Sequence, residues 1–449
     1  MYNLCHKGMD IAQRFKRDLG YYLLVIIVPG GLNAALIPVL KRLLGAADFG
    51  KFSIKYSLLL FLVSAGVGWI SQGVVRFRFV YGNQEKLLVS KIFRLCLIAS
   101  FSIATVLYLG SRLFHDCSRA LSFMMFTAFV LCAFQNVLIS LAQANFLARF
   151  ILISESVRTA TFFVLGVLLL RLWPNFPQEA LFFALNISYL ISLILLMIRT
   201  KAGFAIAGIM KTGPAENAEF KMGGFFGYGL PLAFWFVLSY GMTYFDKIVL
   251  AKSIGYEAQG NYQSLFDLIS KGVVYVLLPV TNALFPLFTK AFESGDKTGA
   301  FRLLKKLLFM ELALVLLGAI SYWPFGFKVL SWLLKVPPSP SYATAGFLAF
   351  LGAALWQMAM LLHKPLEMQK RTITMLKMNL VSFAIFGGTL VVVWILNSRN
   401  VQWYALPYLL GGITYALLCL VTIGRDKKNS LFGALLRLVF HKERSLKKQ

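Results

Sequence analysis

The chain has 449 residues, of which 59% are hydrophobic and 14% charged, and its 45 Lys and Arg outnumber 18 Asp and Glu to give a net charge of +27. A mean hydropathy of +0.72 excludes a water-soluble fold, because so much apolar surface has no place in water; the chain belongs in a bilayer. The basic excess is divided among short connections between apolar stretches, which argues against the continuous basic surface of a nucleic-acid binder.

In chain order, residues 1–18 come first, with Ile11, Phe15 and Leu19 at helical spacing beside Arg14, Lys16 and Arg17. This pattern suits a helix lying on the inner membrane surface. No small-residue cleavage site follows, so the first apolar run is expected to be retained rather than removed as a signal. Stretches of the roughly 20 residues needed to cross about 30 Å of hydrocarbon then centre on Val25, Val63, Ile103, Val130, Val164 and Leu190. After a polar connection at 200–222, six more centre on Phe236, Val274, Val315, Leu351, Phe386 and Leu410. Helices are expected throughout, since each satisfies its own backbone in lipid and no two-residue alternation marks a membrane barrel. The expected organisation is an N-terminal lobe at 1–199, a cytoplasmic linker at 200–222, a C-terminal lobe at 223–424 and a basic tail at 425–449. In the tail, Phe432, Leu435, Leu436 and Val439 beside Arg437 and Lys442 suit either a surface-lying helix or a tail held by anionic lipid.

With both termini cytoplasmic, the inner connections hold roughly thirty Lys and Arg and the outer ones roughly ten, as the positive-inside rule requires. The cysteines Cys5, Cys96, Cys117, Cys132 and Cys419 show neither metal-ligand spacing nor an even disulfide framework. No nucleotide-binding Gly loop, paired-His motif or nucleophile elbow occurs. The chain is therefore expected to be no enzyme and to hold neither metal nor cofactor.

Two short stretches repeat one plan. LLGAADFGKF places Gly45, Gly50 and Phe52 where SIGYEAQGNY, 210 positions later, places Gly255, Gly260 and Tyr262. At the same offset Tyr56 matches Phe266, Leu58 matches Leu268, Ser71 matches Thr281 and Gln72 matches Asn282. An offset held this far indicates a duplicated unit.

Ionisable residues inside the spans carry the most information, since a mid-bilayer Lys or Arg costs about 3 kcal/mol on insertion scales. Lys271 is expected about nine residues into its helix, about 13 Å deep, with Asp267 one turn before it. Arg158 is comparably deep, with Glu155 three residues before it. Lys55, Asp246 and Lys247 fall nearer the outer ends of their spans, and His363 and Lys364 nearer an inner end. Two readings stay open. Asp267 with Lys271 and Glu155 with Arg158 can be structural ion pairs, and Lys55, Lys247 and Lys364 can snorkel to the interface; alternatively, cations from both halves line a central cavity that accepts an anion. Asn33, Gln72, Gln135, Asn136, Gln143, Asn145, Asn282 and Gln357 suit inter-helix hydrogen bonds. Pro29-Gly30-Gly31, Pro231, Pro279 and Pro286 suit kinks or hinges.

The segment RLLGAADFGKFSIKYSLLLFLVSAGVGWISQGVVRF resembles the first inter-helix loop and second span of the polysaccharide (O-antigen type) flippases of the multidrug/oligosaccharidyl-lipid/polysaccharide superfamily. The segment YGLPLAFWFVLSYGMTYFDKIVLAKSIGYEAQGNYQSLFDLISKGVVYVLLPVTNALFPLFTKAFESGD resembles the seventh and eighth helices, with Asp246-Lys247 before the Gly loop. The resemblance implies an all-α membrane protein of twelve helices. Two six-helix lobes related by a pseudo-two-fold would form a V-shaped, alternating-access carrier. It further implies transport of an undecaprenyl-pyrophosphate-linked oligosaccharide to the outer leaflet of a bacterial plasma membrane, with the bilayer and other polysaccharide-assembly membrane proteins as partners. Lys271 and Arg158, with Lys55 and Lys247, would meet the pyrophosphate; Gln135, Asn136 and Gln357 would meet sugar hydroxyls. Asp267, Asp246 and Glu155 are candidate ion-coupling groups, each beside a basic neighbour that disfavours protonation. Alternatives are a multidrug extruder of the same superfamily, which would need carboxylates in a first span that has none, and a membrane glycosyltransferase or polymerase, which would need a long outer loop or an acidic catalytic motif.

The charge asymmetry predicts that tags at Asn83, Pro214 and Lys448 report the cytoplasm and tags at Gly45, Gly255 and Asn397 the outside. Tags from one group split between compartments would contradict the twelve-span topology.

Overall fold

The computed structural model describes residues 11–77, 85–113, 117–145, 147–200, 222–293, 295–369 and 371–424. The tail at 425–449 and the connection at 201–221 lie outside the described residues, as do the side chains of Ile11, Phe15, Leu19, Thr281, Asn282 and Pro286.

All regular structure among the described residues is helical. The first elements are α1 (Ile11–Gly66), α2 (Gly68–Phe77), α3 (Glu85–Leu113), α4 (Arg119–Ala144), α5 (Ala148–Leu172) and α6 (Pro177–Thr200). They are followed by α7 (Met222–Met242), α8 (Phe245–Ile254), α9 (Tyr256–Glu293) and α10 (Lys297–Ser321). A π-helical turn (Tyr322–Gly326) leads into α11 (Phe327–Leu334), and α12 (Pro340–Leu362), α13 (Lys364–Met368), α14 (Thr372–Ile395) and α15 (Gln402–Gly424) complete the chain. Side-chain caps start several of them: Ser118 Oγ accepts from Leu121 N, Asp296 from Gly299 N and Ser339 from Tyr342 N, each satisfying an amide without a partner in its own helix.

Nine helical stretches among the described residues are long and apolar enough to cross a membrane. One of them, Ile27–Gly66, takes in residues of both the first and the second expected spans, and another, Gly223–Ile254, joins α7 to α8. The eighth and ninth expected spans correspond to α9 and α10, which are 38 and 25 residues long and carry more charge, including Asp267, Lys271, Arg302, Lys305, Lys306 and Glu311.

Chain contacts divide the protein into two compact units, Met1–Tyr240 and Gly241–Gln449. The division falls near the end of α7, past the polar connection at 200–222. In the first unit α4 packs on α6, α5 on α6 and α3 on α4; in the second α12 packs on α15, α14 on α15 and α10 on α12. The same arrangement of third on fourth, and of fourth and fifth on sixth, is thus built twice.

The repeated glycines show the duplication at the backbone. Gly45 has φ 77° and ψ 169° and makes α1 two helices meeting at a corner. Gly255 has φ 104° and ψ 167° and ends α8, its N–H donating to Ala251 O. Both occupy a region open essentially to glycine alone. By contrast, α1 and α7 run on through Pro29 and Pro231, so these prolines sit within helices that continue past them.

Close approach of helices depends on small residues, because lipid gives helices no hydrophobic drive to associate. In the first unit a Cβ at Gly73 would overlap the Phe225 ring and one at Gly229 would overlap Trp69, so α2 and α7 interlock reciprocally. Val67, Ile70, Phe93, Leu138, Phe225 and Leu232 join the cluster around that contact. In the second unit Ser382 Oγ donates to Gly411 O at 2.6 Å, tying α14 to α15.

Substituting Ala at Gly45 or Gly255 is expected to cost about 1–3 kcal/mol each through backbone strain, although no atom lies within 4 Å of the added Cβ. Gly110→Ala and Gly387→Ala, equally roomy but without positive φ, should be neutral or stabilising. Thermal unfolding of the four purified variants distinguishes the groups; equal effects would contradict the strain argument.

Candidate functional site

Among the described residues, each unit holds a cluster of polar side chains in which neighbouring helices meet. In the first, helical spacing puts Cys132, Gln135 and Asn136 on one face of α4, Ser154, Glu155, Arg158 and Thr159 on one face of α5, and Tyr189 and Ser192 on one face of α6. Gln135 Nε2 donates to Glu155 Oε1 at 2.6 Å and to Ser192 Oγ at 2.7 Å, and Ser192 Oγ lies 2.6 Å from Ser154 Oγ. One amide thereby ties three helices together. Asn136 Nδ2 bonds its own helix, at Cys132 O 2.9 Å away, and Asn33 Nδ2 reaches Thr159 Oγ1 at 3.5 Å.

Arg158 is the charge at the centre of this network. Its Nη2 lies 2.9 Å from Glu155 Oε2, with side-chain exposures of 11% and 17%, and Nε faces both carboxylate oxygens at 3.4 and 3.3 Å. The guanidinium also stands 5.3 Å from the centre of the Tyr189 ring. The Glu155–Arg158 pair expected from spacing is therefore present. Among the described residues none accepts from Nη1, so one edge of the fork holds Glu155 and the other keeps donors for a second acceptor.

The second cluster surrounds a break in the seventh span. Helix α7 ends at Met242 and α8 begins at Phe245, placing Asp246 in the first turn of α8, where a carboxylate complements the helix N-terminus. Asp246 Oδ1 accepts from Lys247 N at 2.8 Å and Oδ2 from Tyr262 Oη at 3.3 Å. Tyr262, predicted as part of the repeated Gly loop, is completely buried. Asp246 is 0% and Lys247 4% exposed, so Lys247 is enclosed by protein rather than snorkelled; its Nζ lies 5.6 Å from the Phe266 ring centre. Phe266 in turn packs edge-on against Tyr408 of α15 at 5.1 Å. Asp267 accepts a hydrogen bond from Gln263, one turn earlier on α9. Lys271 is half-buried near the middle of α9, further along the helix than its sequence context alone suggests.

The remaining candidates lie apart from these bonds. Gln357 is half-buried on α12 and Lys55 half-buried on α1, while Lys364 Nζ bonds Glu367 Oε2 at 2.7 Å. Gln72 and Gln143 are exposed. Sequence reading passed over two buried charges. Glu311, 0% exposed on α10, was signalled by a single acid in the run FMELALVLLG; Lys41, 4% exposed, has no acceptor for Nζ among the described residues. Ser154, Ser192 and Tyr189 gave no signal, being ordinary residues of membrane helices. No group of three His, Cys, Asp or Glu among the described residues is placed to hold a metal ion.

A family model described as polysaccharide biosynthesis protein matches residues 15–292. No curated protein matches the chain by sequence. Solved structures share the fold across nearly the whole chain. A mutant of the MATE transporter VcmN from Vibrio cholerae is 13% identical with a TM-score of 0.69, covering 93% of this chain and 97% of its own. A MOP superfamily transporter from Pyrococcus furiosus, reported to have a binding pocket of reversed polarity, is 12% identical with a TM-score of 0.67, covering 97% and 100%. The eukaryotic MATE transporter AtDTX14 is 17% identical with a TM-score of 0.60, covering 95% and 99%. The fold is shared with these transporters.

Removing one member of a buried ion pair leaves the other uncompensated, at a cost of about 3–5 kcal/mol. Arg158→Gln and Glu155→Gln should therefore each lower thermal stability, and the double variant should recover most of the loss. Additive losses in such a cycle would show that the two side chains act independently.

Proposed function

We propose, since the chain belongs to the polysaccharide biosynthesis protein family, that it is a flippase moving an undecaprenyl-pyrophosphate-linked oligosaccharide from the cytoplasmic to the outer leaflet of a bacterial plasma membrane. The observation that carries this reading is the family match, which runs from residue 15 through the rest of the first unit and to the end of α9. The side chains offer suitable chemistry. A pyrophosphate entering low dielectric needs charge-assisted donors to offset its desolvation. Arg158 keeps an unused edge beside the Gln135–Ser192 network, and Lys271 and Lys247 supply ammonium groups in the second unit. Gln135, Asn136 and Gln357 are the proposed sugar-hydroxyl partners, and Lys55 a further contact for the headgroup. Both termini are placed in the cytoplasm.

Coupling to an ion gradient is assigned to Asp246 and Asp267. Asp246 lies at a helix break, the kind of place where carriers hold coupling ions. Glu155, which neutralises Arg158, is the weaker of the three candidates. The lipid tail stays in the bilayer throughout, so only the headgroup needs a polar path.

A second reading, multidrug extrusion, is favoured by the MATE transporters that share the fold. Against it, residues 19–47 contain no Asp or Glu while holding Lys41 and Arg42. The Pyrococcus furiosus protein, for which reversed pocket polarity suggests a different function, is a precedent for one fold serving differently charged substrates.

Deletion of the gene should cause a lipid-linked glycan to accumulate on the inner leaflet, and re-expression should clear it. At matched membrane abundance, Lys271→Ala and Arg158→Ala should each slow export about tenfold, with Lys271→Arg closer to the parent. Normal export by both Ala variants would overturn their assignment to the headgroup; absence of glycan accumulation in the deletion strain would overturn the flippase reading itself.

A further inference from the structure

The outer connection between α10 and α12 has no counterpart of equal length in the first unit. Helix α12 begins 221 residues after α4, at Pro340 against Arg119, whereas the repeated glycines lie 210 apart. From the glycine to these helix starts the second unit is thus 11 residues longer, and the connection itself runs over 322–339 against 114–118, much of it the π-helical turn and α11.

Both ends of the segment are anchored in protein. Tyr322 is buried, its Oη donating to Ala343 O at 2.9 Å, and it fits because Gly346 lacks a Cβ that would overlap the hydroxyl. At the far end Leu334 and Val336 are buried, Ser331 Oγ donates to Val336 O at 2.7 Å, and Lys335 turns the chain with φ 49°. Between these anchors one face points away from the protein. Phe325, Val329 and Trp332 follow one another at helical spacing and are 70%, 57% and 73% exposed, with Trp323 also exposed and with Lys328 and Lys335 exposed on the same segment. This face continues the exposed apolar stripe of α10 formed by Leu316, Leu317 and Ile320. In water such a surface would be unfavourable. A short helix mixing Trp and Phe with Lys matches the boundary between acyl chains and headgroups, where aromatic rings and snorkelled ammonium groups are both accommodated.

We propose that residues 322–336 form an interfacial element whose partner is the phospholipid headgroup layer. Phe325, Val329 and Trp332 enter the acyl boundary, while Lys328 and Lys335 pair with lipid phosphates. The two buried anchors hold α11 along the membrane plane, and the lipid holds the outer end of α10.

The test uses the full chain in vesicles of phosphatidylethanolamine and phosphatidylglycerol. The emission difference between the parent and Trp332→Phe isolates one of the eight tryptophans. That signal should be quenched more strongly by lipid brominated near the headgroup end of the acyl chain than by lipid brominated near the chain end, and little by aqueous acrylamide. Quenching by acrylamide without quenching by brominated lipid would place the face in water or against another protein and overturn the proposal. Stronger quenching from the chain end would overturn it by placing the helix in the hydrocarbon core. Lys328→Glu with Lys335→Glu should raise the acrylamide quenching of Trp332; an unchanged value would remove the phosphate contacts. Trp323→Phe supplies a second probe of the same face.

Discussion

Hydrocarbon offers no hydrogen-bond partner, and every level of this protein answers to that constraint. It makes the backbone helical, because a helix satisfies its own amides and carbonyls, and it gathers polar side chains where they can satisfy one another. It also removes the hydrophobic drive between helices, so close contact depends on glycines such as Gly73 and Gly229, into whose missing side-chain volume Phe225 and Trp69 fit. The few places where the helical pattern breaks are correspondingly informative. Gly45 and Gly255 interrupt the helical run in nearly the same conformation, 210 residues apart, and the break before α8 places Asp246 in the first turn of a helix.

The two polar clusters resolve the cost of buried charge differently. Arg158 is offset by Glu155, and Glu155 is in turn held by Gln135, which also grips Ser192. Asp246 is offset by a backbone amide, a tyrosine hydroxyl and the end of a helix. The first arrangement leaves donors on a delocalised cation, suited to an anion that must shed water. In the second, the hydrogen bonds to the carboxylate come from neutral donors, with the buried Lys247 side chain on the adjacent residue.

Much of the fold was legible because periodicity and hydropathy report the same physics that the bilayer imposes. The spans, the duplication and the Glu155–Arg158 pair all followed from spacing alone. Other features were not legible, for identifiable reasons. Lys247 is buried with its Nζ near the ring of Phe266, 19 positions away, and position near a span end suggested snorkelling equally well. Asp267 stands one turn from Lys271, but its hydrogen bond from Gln263, one turn in the other direction, had no sequence signal. Ser154 and Ser192 join helices through contacts that no local pattern announces. Glu311 stood in plain view within an apolar run, and its burial marks it as a residue that the rule for intramembrane charge should have selected.

Fold and family constrain different parts of the account. The shared architecture with MATE transporters establishes how the helices are arranged, and the same architecture serves unlike substrates; membership of the polysaccharide biosynthesis family directs the choice towards a lipid-linked glycan. The most direct test is transport by the purified protein in proteoliposomes, offering an undecaprenyl-pyrophosphate oligosaccharide on one leaflet and following its appearance on the other, with a cationic dye as the competing substrate. The account predicts protein-dependent movement of the glycan lipid and none of the dye. Dye transport with a stationary glycan lipid would contradict it.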